Sequence, residues 1–253
     1  MPKDEGMFKK NKILAFIGAR AGSKGLKDKN IALLCGQPLI HWTISAAKQS
    51  AYIDRVVVST ECPRIAEIAK RSGADVPFMR PKELAKDDSF IDDSIKHCID
   101  CLKNNENQEY DYIMLLQPTS PLRTGGHIDE SIEYYFQNKK TNMDKMMSVI
   151  RLPQRSGWLM KQTENGYIEF CFDLSKERRH RQRNPDFFLP NGAIYFGITE
   201  VMKDISTLKT NILPFMMEEE ISIDVDTQAD LDKAEEIFNR LNRDNKSLVR
   251  NIP

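Results

Sequence analysis

Ile13-Leu14-Ala15-Phe16-Ile17 runs without a polar residue into Gly18-Ala19-Arg20-Ala21-Gly22-Ser23-Lys24-Gly25. Five consecutive apolar residues predict a strand covered on both faces, as in a parallel sheet, with the glycine-rich stretch as the loop at its carboxyl end. Downstream the pattern switches to helical over 38–49, with Pro38 in the first turn and Leu39, Ile40, Trp42, Ile44 and Ala46 on the apolar side. A second strand follows at 55–59, then a helix over 63–71 closed by Gly73. The same reading predicts a helix over 91–102, a strand over 112–116, a helix over 128–137 and a strand near 146–150. Strand and helix alternating at this spacing predict an α/β layered fold with a mainly parallel sheet. Ligands of such sheets sit at the carboxyl ends of the strands. Three segments are thereby singled out: the glycine-rich loop, Ser59-Thr60-Glu61, and Gln117-Pro118-Thr119-Ser120.

From 151 to 190 the alternation fails. Strand-like pieces near 167–172 precede a basic run, Lys176-Glu177-Arg178-Arg179-His180-Arg181-Gln182-Arg183, and the whole reads as an arm on the sheet, suited to dimerisation. Alternation resumes at Ala193-Ile194-Tyr195-Phe196. Ile221-Ser222-Ile223 is read as the last strand, and 227–241 as a helix with Asp230 and Asp232 in its early turns. The expected organisation is a charged extension over 1–11, one domain over 12–243 and a tail over 244–253.

A chain of 253 residues suits one sizeable domain. Its 37 Lys and Arg balance 37 Asp and Glu, which removes the simplest argument for a nucleic-acid partner. The balance is a cancellation. Residues 18–30 hold four cations and one acid, residues 176–183 five and one, whereas 218–236 hold nine acids and one lysine. Basic segments of this size fit a small anion rather than a polyanion. No apolar run approaches the roughly 18 residues of a membrane span, and the charged N-terminus lacks the features of a secretory leader. With five scattered cysteines (35, 62, 98, 101, 171), these features predict a cytoplasmic protein without a disulfide framework.

Cys98 and Cys101 have the spacing of half a zinc site but no second pair follows. The four histidines form no His-Glu-x-x-His pattern, and Ser59, Ser120 and His127 lack the Gly-x-Ser-x-Gly elbow of a hydrolase. The basic run has no aromatic between its cations, so it reads as a solvated arm or an anion-binding segment. In the loop from 18 to 30, small residues would let backbone N–H groups approach phosphate oxygens while Arg20, Lys24, Lys27 and Lys29 neutralise their charge. It matches neither the dinucleotide nor the P-loop pattern, and a tight turn with solvated lysines is the other reading. Asp224-Val225-Asp226, taken as a strand end, would aim two carboxylates at one spot, a fit for Mg²⁺ on a nucleotide phosphate.

Together these strings resemble the CMP-sialic acid synthetases, or acylneuraminate cytidylyltransferases. The resemblance is carried by Ala19 to Leu26 with Lys29-Asn30, by Arg80-Pro81-Lys82-Glu83-Leu84-Ala85, and by Leu115-Leu116-Gln117-Pro118-Thr119-Ser120-Pro121-Leu122-Arg123-Thr124. It continues through Pro190-Asn191-Gly192-Ala193-Ile194-Tyr195 and Ser222-Ile223-Asp224-Val225-Asp226-Thr227, in the family's order from about residue 12 to 240. It implies a Rossmann-like three-layer nucleotidyltransferase fold with a dimerisation arm. It implies that the anomeric hydroxyl of a nine-carbon α-keto sugar acid attacks the α-phosphate of CTP and pyrophosphate leaves.

By the same resemblance, Arg20 and Lys29 take the triphosphate with Ser23 and Asn30 close by. Ala19, Gly22, Arg80 and Ser89 complete the nucleotide set, Arg80 near the cytosine. Gln117 contacts the sugar, and Asp224 and Asp226 hold Mg²⁺. The arm of a homodimer brings Arg181 and Tyr195 near the sugar of the neighbouring protomer. One departure concerns the sugar half. Trp158 falls where the family's His-Pro-x-Lys segment supplies a lysine, which points to a less hydroxylated acceptor of legionaminic or pseudaminic type. Two other classes are distinguishable. A glycosyltransferase with a D-x-D metal site carries that motif mid-chain, and a non-catalytic nucleotide sensor would have lost a charged site residue.

Overall fold

A computed structural model describes residues 11–23, 25–172, 185–205 and 211–244. Its centre is a six-stranded sheet in the order β10-β6-β9-β5-β1-β4. The strands are β1 (Ile13–Gly18), β4 (Arg55–Ser59), β5 (Tyr112–Leu116), β6 (Lys145–Leu152), β9 (Phe187–Ile198) and β10 (Ile212–Met216). β1 pairs in parallel with β4 and β5, and β10 with β6, while β9 runs against both its neighbours. Two short hairpins stand outside the sheet: β2 (Leu33–Leu34) with β3 (Gln37–Pro38), and β7 (Met160–Gln162) with β8 (Ile168–Phe170).

The apolar run of β1 is unbroken because both its faces are covered. Ile13, Ala15 and Ile17 pack in a cluster with Ile40 and Ile44 of α1 (Leu39–Gln49), Ile65 of α2 (Pro63–Arg71), and Ile128 and Ile132 of α4 (Gly125–Asn138). Leu14 and Phe16 face the other way, onto Ile95, Cys98 and Leu102 of α3 (Ile91–Glu106) and Met202 of α5 (Thr199–Met202). Each large side chain so buried contributes about 1.5–3 kcal/mol relative to exposure. The result is the expected three-layer α/β arrangement. A sixth helix, α6 (Gln228–Asp244), packs through Leu231 and Ala234 on Leu34 and Leu39.

Several boundaries differ from the sequence reading. Pro38 lies before the first turn of α1, paired with Leu33, rather than inside it. α4 begins at Gly125 because Thr124 and His127 cap it reciprocally: the Thr124 hydroxyl accepts the His127 N–H and His127 Nδ1 accepts the Thr124 N–H. Most consequential, Ile221-Ser222-Ile223 is not a strand. The last strand is β10, which carries Pro214 and is tolerated because it is an edge strand.

β9 is also longer than Ala193–Phe196, since Phe187 to Pro190 of the expected arm already pair with β6. Its register slips at Ser148, which alone stands opposite the residues between Pro190 and Tyr195. The Ser148 hydroxyl fills the gap, donating to Asn191 Oδ1 and accepting the Ile194 N–H. No helix among the described residues is long and apolar enough to cross a membrane.

Candidate active site

The loops after β1, β4, β5 and β10 share one edge of the sheet, and the start of β9 joins them because that strand is reversed. A cleft of about 570 Å³ opens there, within the range of small-molecule sites. From the first loop it receives Arg20, Ser23, Lys29 and Asn30; from the segment after β4, Arg80 and Ser89; from the end of β5, Gln117 and Thr119; and from the segment before α6, Asp226. Eight of the residues given a site role in the sequence reading, all of these but Thr119, thus line one cavity. Ala19 and Gly22 shape the loop instead: the buried Ala19 donates its N–H to Ser59 O, and Gly22 takes a left-handed turn at φ 79°.

Each wall is tied down locally. The buried Asn30 side chain donates to Arg20 O at 2.8 Å, and the Ala21 N–H donates to Glu61 Oε1 at 2.7 Å, pinning the loop to the end of β4. Arg80 is buried, its Nε donating to Ser59 Oγ at 3.0 Å and a terminal nitrogen to Ser59 O. Burial, chiefly, pulls the Arg80 guanidinium down to about 10, with the Glu61 charge opposing and the Arg20 charge assisting. It remains cationic at neutral pH. The Ser89 hydroxyl donates to Glu83 O and accepts the Lys86 N–H, which fixes the turn on the opposite wall. Across the cleft from that turn Arg20 Nη1 meets Asp87 Oδ1 at 2.8 Å.

Asp226 is held from three directions. Lys29 Nζ lies 2.6 Å from its Oδ1, its N–H donates to Asp230 Oδ2, and its carbonyl oxygen abuts Gly25. A Cβ on Gly25 would stand 2.4 Å from that oxygen, so only glycine permits this approach. Asp230 also accepts from the N–H and hydroxyl of Thr227, anchoring the segment at the start of α6; these bonds hold its carboxyl below the usual range.

Asp224 and Asp226 therefore extend from a loop, not from the strand end expected. They flank the buried Val225, whose N–H donates to Thr119 O at 2.8 Å. The alternation of a locally extended segment is kept without a partner strand. Partial desolvation raises the Asp224 carboxyl above its usual value and the Asp226 charge adds to this, against a hydrogen bond from Thr119 and the charge of Lys29. Among the described residues no three acidic, His or Cys side chains gather into a metal cluster.

Gln117 is positioned by groups to which the sequence reading gave no role. Arg123, 2% exposed, donates through one terminal nitrogen to Ala193 O at 2.6 Å and to Gln117 O at 3.4 Å, bridging β5 and β9. Burial depresses its guanidinium to about 9. Gly192, at φ 75°, comes so close to the Gln117 side chain that a Cβ would lie 3.1 Å from its Oε1. The neighbouring Asn191 donates to Ser222 Oγ at 2.8 Å, linking the bulge to the Asp224 segment. Arg123, Asn191 and Gly192 stand in strings quoted above without a role of their own, and a further signal for the network is Ser148, a lone hydroxyl inside the apolar Met146–Ile150 run.

The sugar-side expectations fare less evenly. Tyr195 sits mid-sheet, packed against the cluster that holds Leu14 and Phe16, where burial, chiefly, and the charge of Asp224 raise its hydroxyl. Arg181 lies outside the described residues. Trp158 is not in the cleft; it ends a short 3₁₀ turn (Gln154–Trp158) with 51% of its surface exposed. The argument that drew acceptor chemistry from a tryptophan in the pocket therefore falls for the cleft of a single chain.

Comparison with known proteins gives a consistent result. The family model described as cytidylyltransferase matches residues 14–251. The chain is 33% identical over 244 residues to the N-acylneuraminate cytidylyltransferase of Escherichia coli O18:K1:H7, covering 96% of this chain and 56% of that protein. It thus spans about half the length of that relative. It is 35% identical to the CMP-N,N'-diacetyllegionaminic acid synthase of Legionella pneumophila, covering 87% of this chain and 93% of that one. Its fold is similar to a solved CMP:2-keto-3-deoxy-manno-octonic acid synthetase complexed with CTP, with a TM-score of 0.67 at 16% identity, covering 91% of this chain and 99% of that chain.

Proposed function

Because the chain belongs to the cytidylyltransferase family, we propose that it transfers CMP from CTP to the anomeric hydroxyl of a nonulosonic acid of sialic, legionaminic or pseudaminic type, releasing pyrophosphate. The observation that carries this reading is the convergence of Arg20, Lys29, Arg80, Gln117 and Asp226 on one cleft. Two cations there, Arg20 and Lys29, suit a triphosphate, and the neutral amide of Gln117 suits a hydroxyl-rich acceptor.

In this reading Arg20 and Lys29 bind the triphosphate, with Ser23 and Asn30 shaping the loop that presents it. The charge developing on the departing pyrophosphate meets fixed cations that need no reorganisation, an effect for which one lost partner typically costs about 10²–10³ in rate. Arg80 and Ser89 face the cytosine, and Gln117 orients the acceptor hydroxyl toward the α-phosphate. Asp224 and Asp226 fit Mg²⁺, which commonly takes one or two carboxylates and completes its shell with substrate phosphates. When bound, the ion supplies Lewis-acid neutralisation of phosphate charge. A raised Asp224 carboxyl is also suited to receive the proton of the attacking hydroxyl.

The same proposal includes a homodimer. Tyr167 and Ile168 of the β7–β8 hairpin are 74% and 64% exposed, and Trp158, Leu159 and Met160 continue the apolar surface. A second copy of the chain is the occupant we assign to it. The test is pyrophosphate release from CTP and Mg²⁺ with a panel of nonulosonic acids. Release is expected only when the acceptor is present, and none with sialic, legionaminic or pseudaminic acid would sink the substrate class.

A further inference from the structure

Both cations assigned to the triphosphate are already neutralised within the chain. Lys29 is paired with Asp226 at 2.6 Å and Arg20 with Asp87 at 2.8 Å, and all four residues line the cleft. The two pairs differ in what the acid does next. Asp226 has a further task in the reaction, whereas no substrate atom is assigned to Asp87. Asp87 also lies on a turn that is built rather than loose: it is held by the Ser89 hydroxyl between Glu83 O and the Lys86 N–H, opposite the glycine-rich loop. Its side chain is 47% exposed and that of Arg20 33%, so water can reach the pair and a phosphate can displace it.

We propose that Asp87 is a release residue: it holds Arg20 before the nucleotide binds, yields it to the triphosphate, and takes it back as pyrophosphate leaves. The proposal rests on the assignment of CTP to this cleft. A partly exposed ion pair is worth little, on the order of 1 kcal/mol or less, which is what a reversible competitor requires. A stronger pair would exclude the nucleotide. With no acid there, Arg20 would keep the product. The carboxylate also repels a bound polyanion, so both effects have one sign: removing the charge tightens phosphate binding.

The experiment measures binding of CTP and of pyrophosphate, each with Mg²⁺, to the full chain by calorimetry, for wild type, Asp87→Asn and Asp87→Glu. Asp87→Asn is expected to bind both ligands about 3–10-fold more tightly, the range set by one weak ion pair plus one like charge. Its steady-state turnover should not rise, and Asp87→Glu should stay near wild type. Unchanged or weaker binding by Asp87→Asn overturns the proposal, and weaker binding with a raised Mg²⁺ requirement would make Asp87 a metal ligand instead. If wild type binds no CTP, the functional reading fails and this inference with it. If wild type binds CTP and Asp87→Asn matches it, only this inference fails.

Discussion

Asp226 and Trp158 lie on the same chain in opposite circumstances. Asp226 is met by Lys29, Gly25 and Asp230, residues from two distant parts of the chain, while Trp158 keeps half of its surface in water. The cleft is thus tied together within one chain: Lys29, Asp226 and the glycine that lets their segments meet are all internal. The β7–β8 hairpin is internally paired but leaves its apolar side chains uncovered. A site whose groups are already bonded to each other is preorganised. A surface whose groups are not must obtain order from elsewhere.

The sharpest way to break this contrast is to remove the central carboxylate. Asp226→Asn should lower turnover by about 10²–10³, the usual loss for one fixed electrostatic partner, with circular dichroism and melting close to wild type. Near-normal turnover would refute its role. Gly25→Ala tests whether the loop and the acidic segment must touch. With a Cβ placed 2.4 Å from the Asp226 carbonyl, the loop has to shift, and CTP affinity should fall by about tenfold or more, since overpacking of this kind typically costs 1–3 kcal/mol. Unaltered CTP binding in calorimetry would show the contact to be dispensable.

At the hairpin the expected effect is on association. Ile168→Glu should weaken self-association roughly tenfold in sedimentation and raise KM for the sugar acid, leaving CTP binding alone. Coupled loss of CTP affinity would mean that the two regions are not separate.

The smallest effect concerns pH. Asp224 has a folded carboxyl raised above its unfolded value, so its ionisation costs stability, in full above the folded value and not at all below the unfolded one. In metal-free protein Asp224→Asn should therefore melt slightly higher at neutral pH, by no more than about 2–4 °C, and the gain should vanish as pH falls through the carboxylate range. A gain that persists in acid would assign it to packing rather than charge.

Much of the cleft was legible because its chemistry is written in short, contiguous strings that follow buried strands. β1, β4, β5 and α2 were read from apolar runs and turn residues, and the rule that loops at the strand ends converge brought Arg20, Lys29 and Gln117 together. What escaped reading depends on pairing. Ile212–Met216 contains a proline, which argues against a strand until its place at an edge is known. Ile221-Ser222-Ile223 mimics a strand by alternation, yet its flanking groups are spent on Asn191, Thr119 and Asp230. Asp87 and Arg123 could not be found by spacing either, because each acts on a residue remote in the chain or across the sheet.

The reversed strand has a further consequence, in the timing of synthesis. β4, β1 and β5 can pair once Leu116 has emerged, but β6 touches the sheet only through β9, and β10 only through β6. At about 5–20 residues per second, the chain from Leu152 to Ile198 takes roughly 2–9 s to make. For that interval Met146, Met147, Val149 and Ile150 have no strand to join. A nascent chain halted between those points should carry half a sheet, and should be where a chaperone finds it.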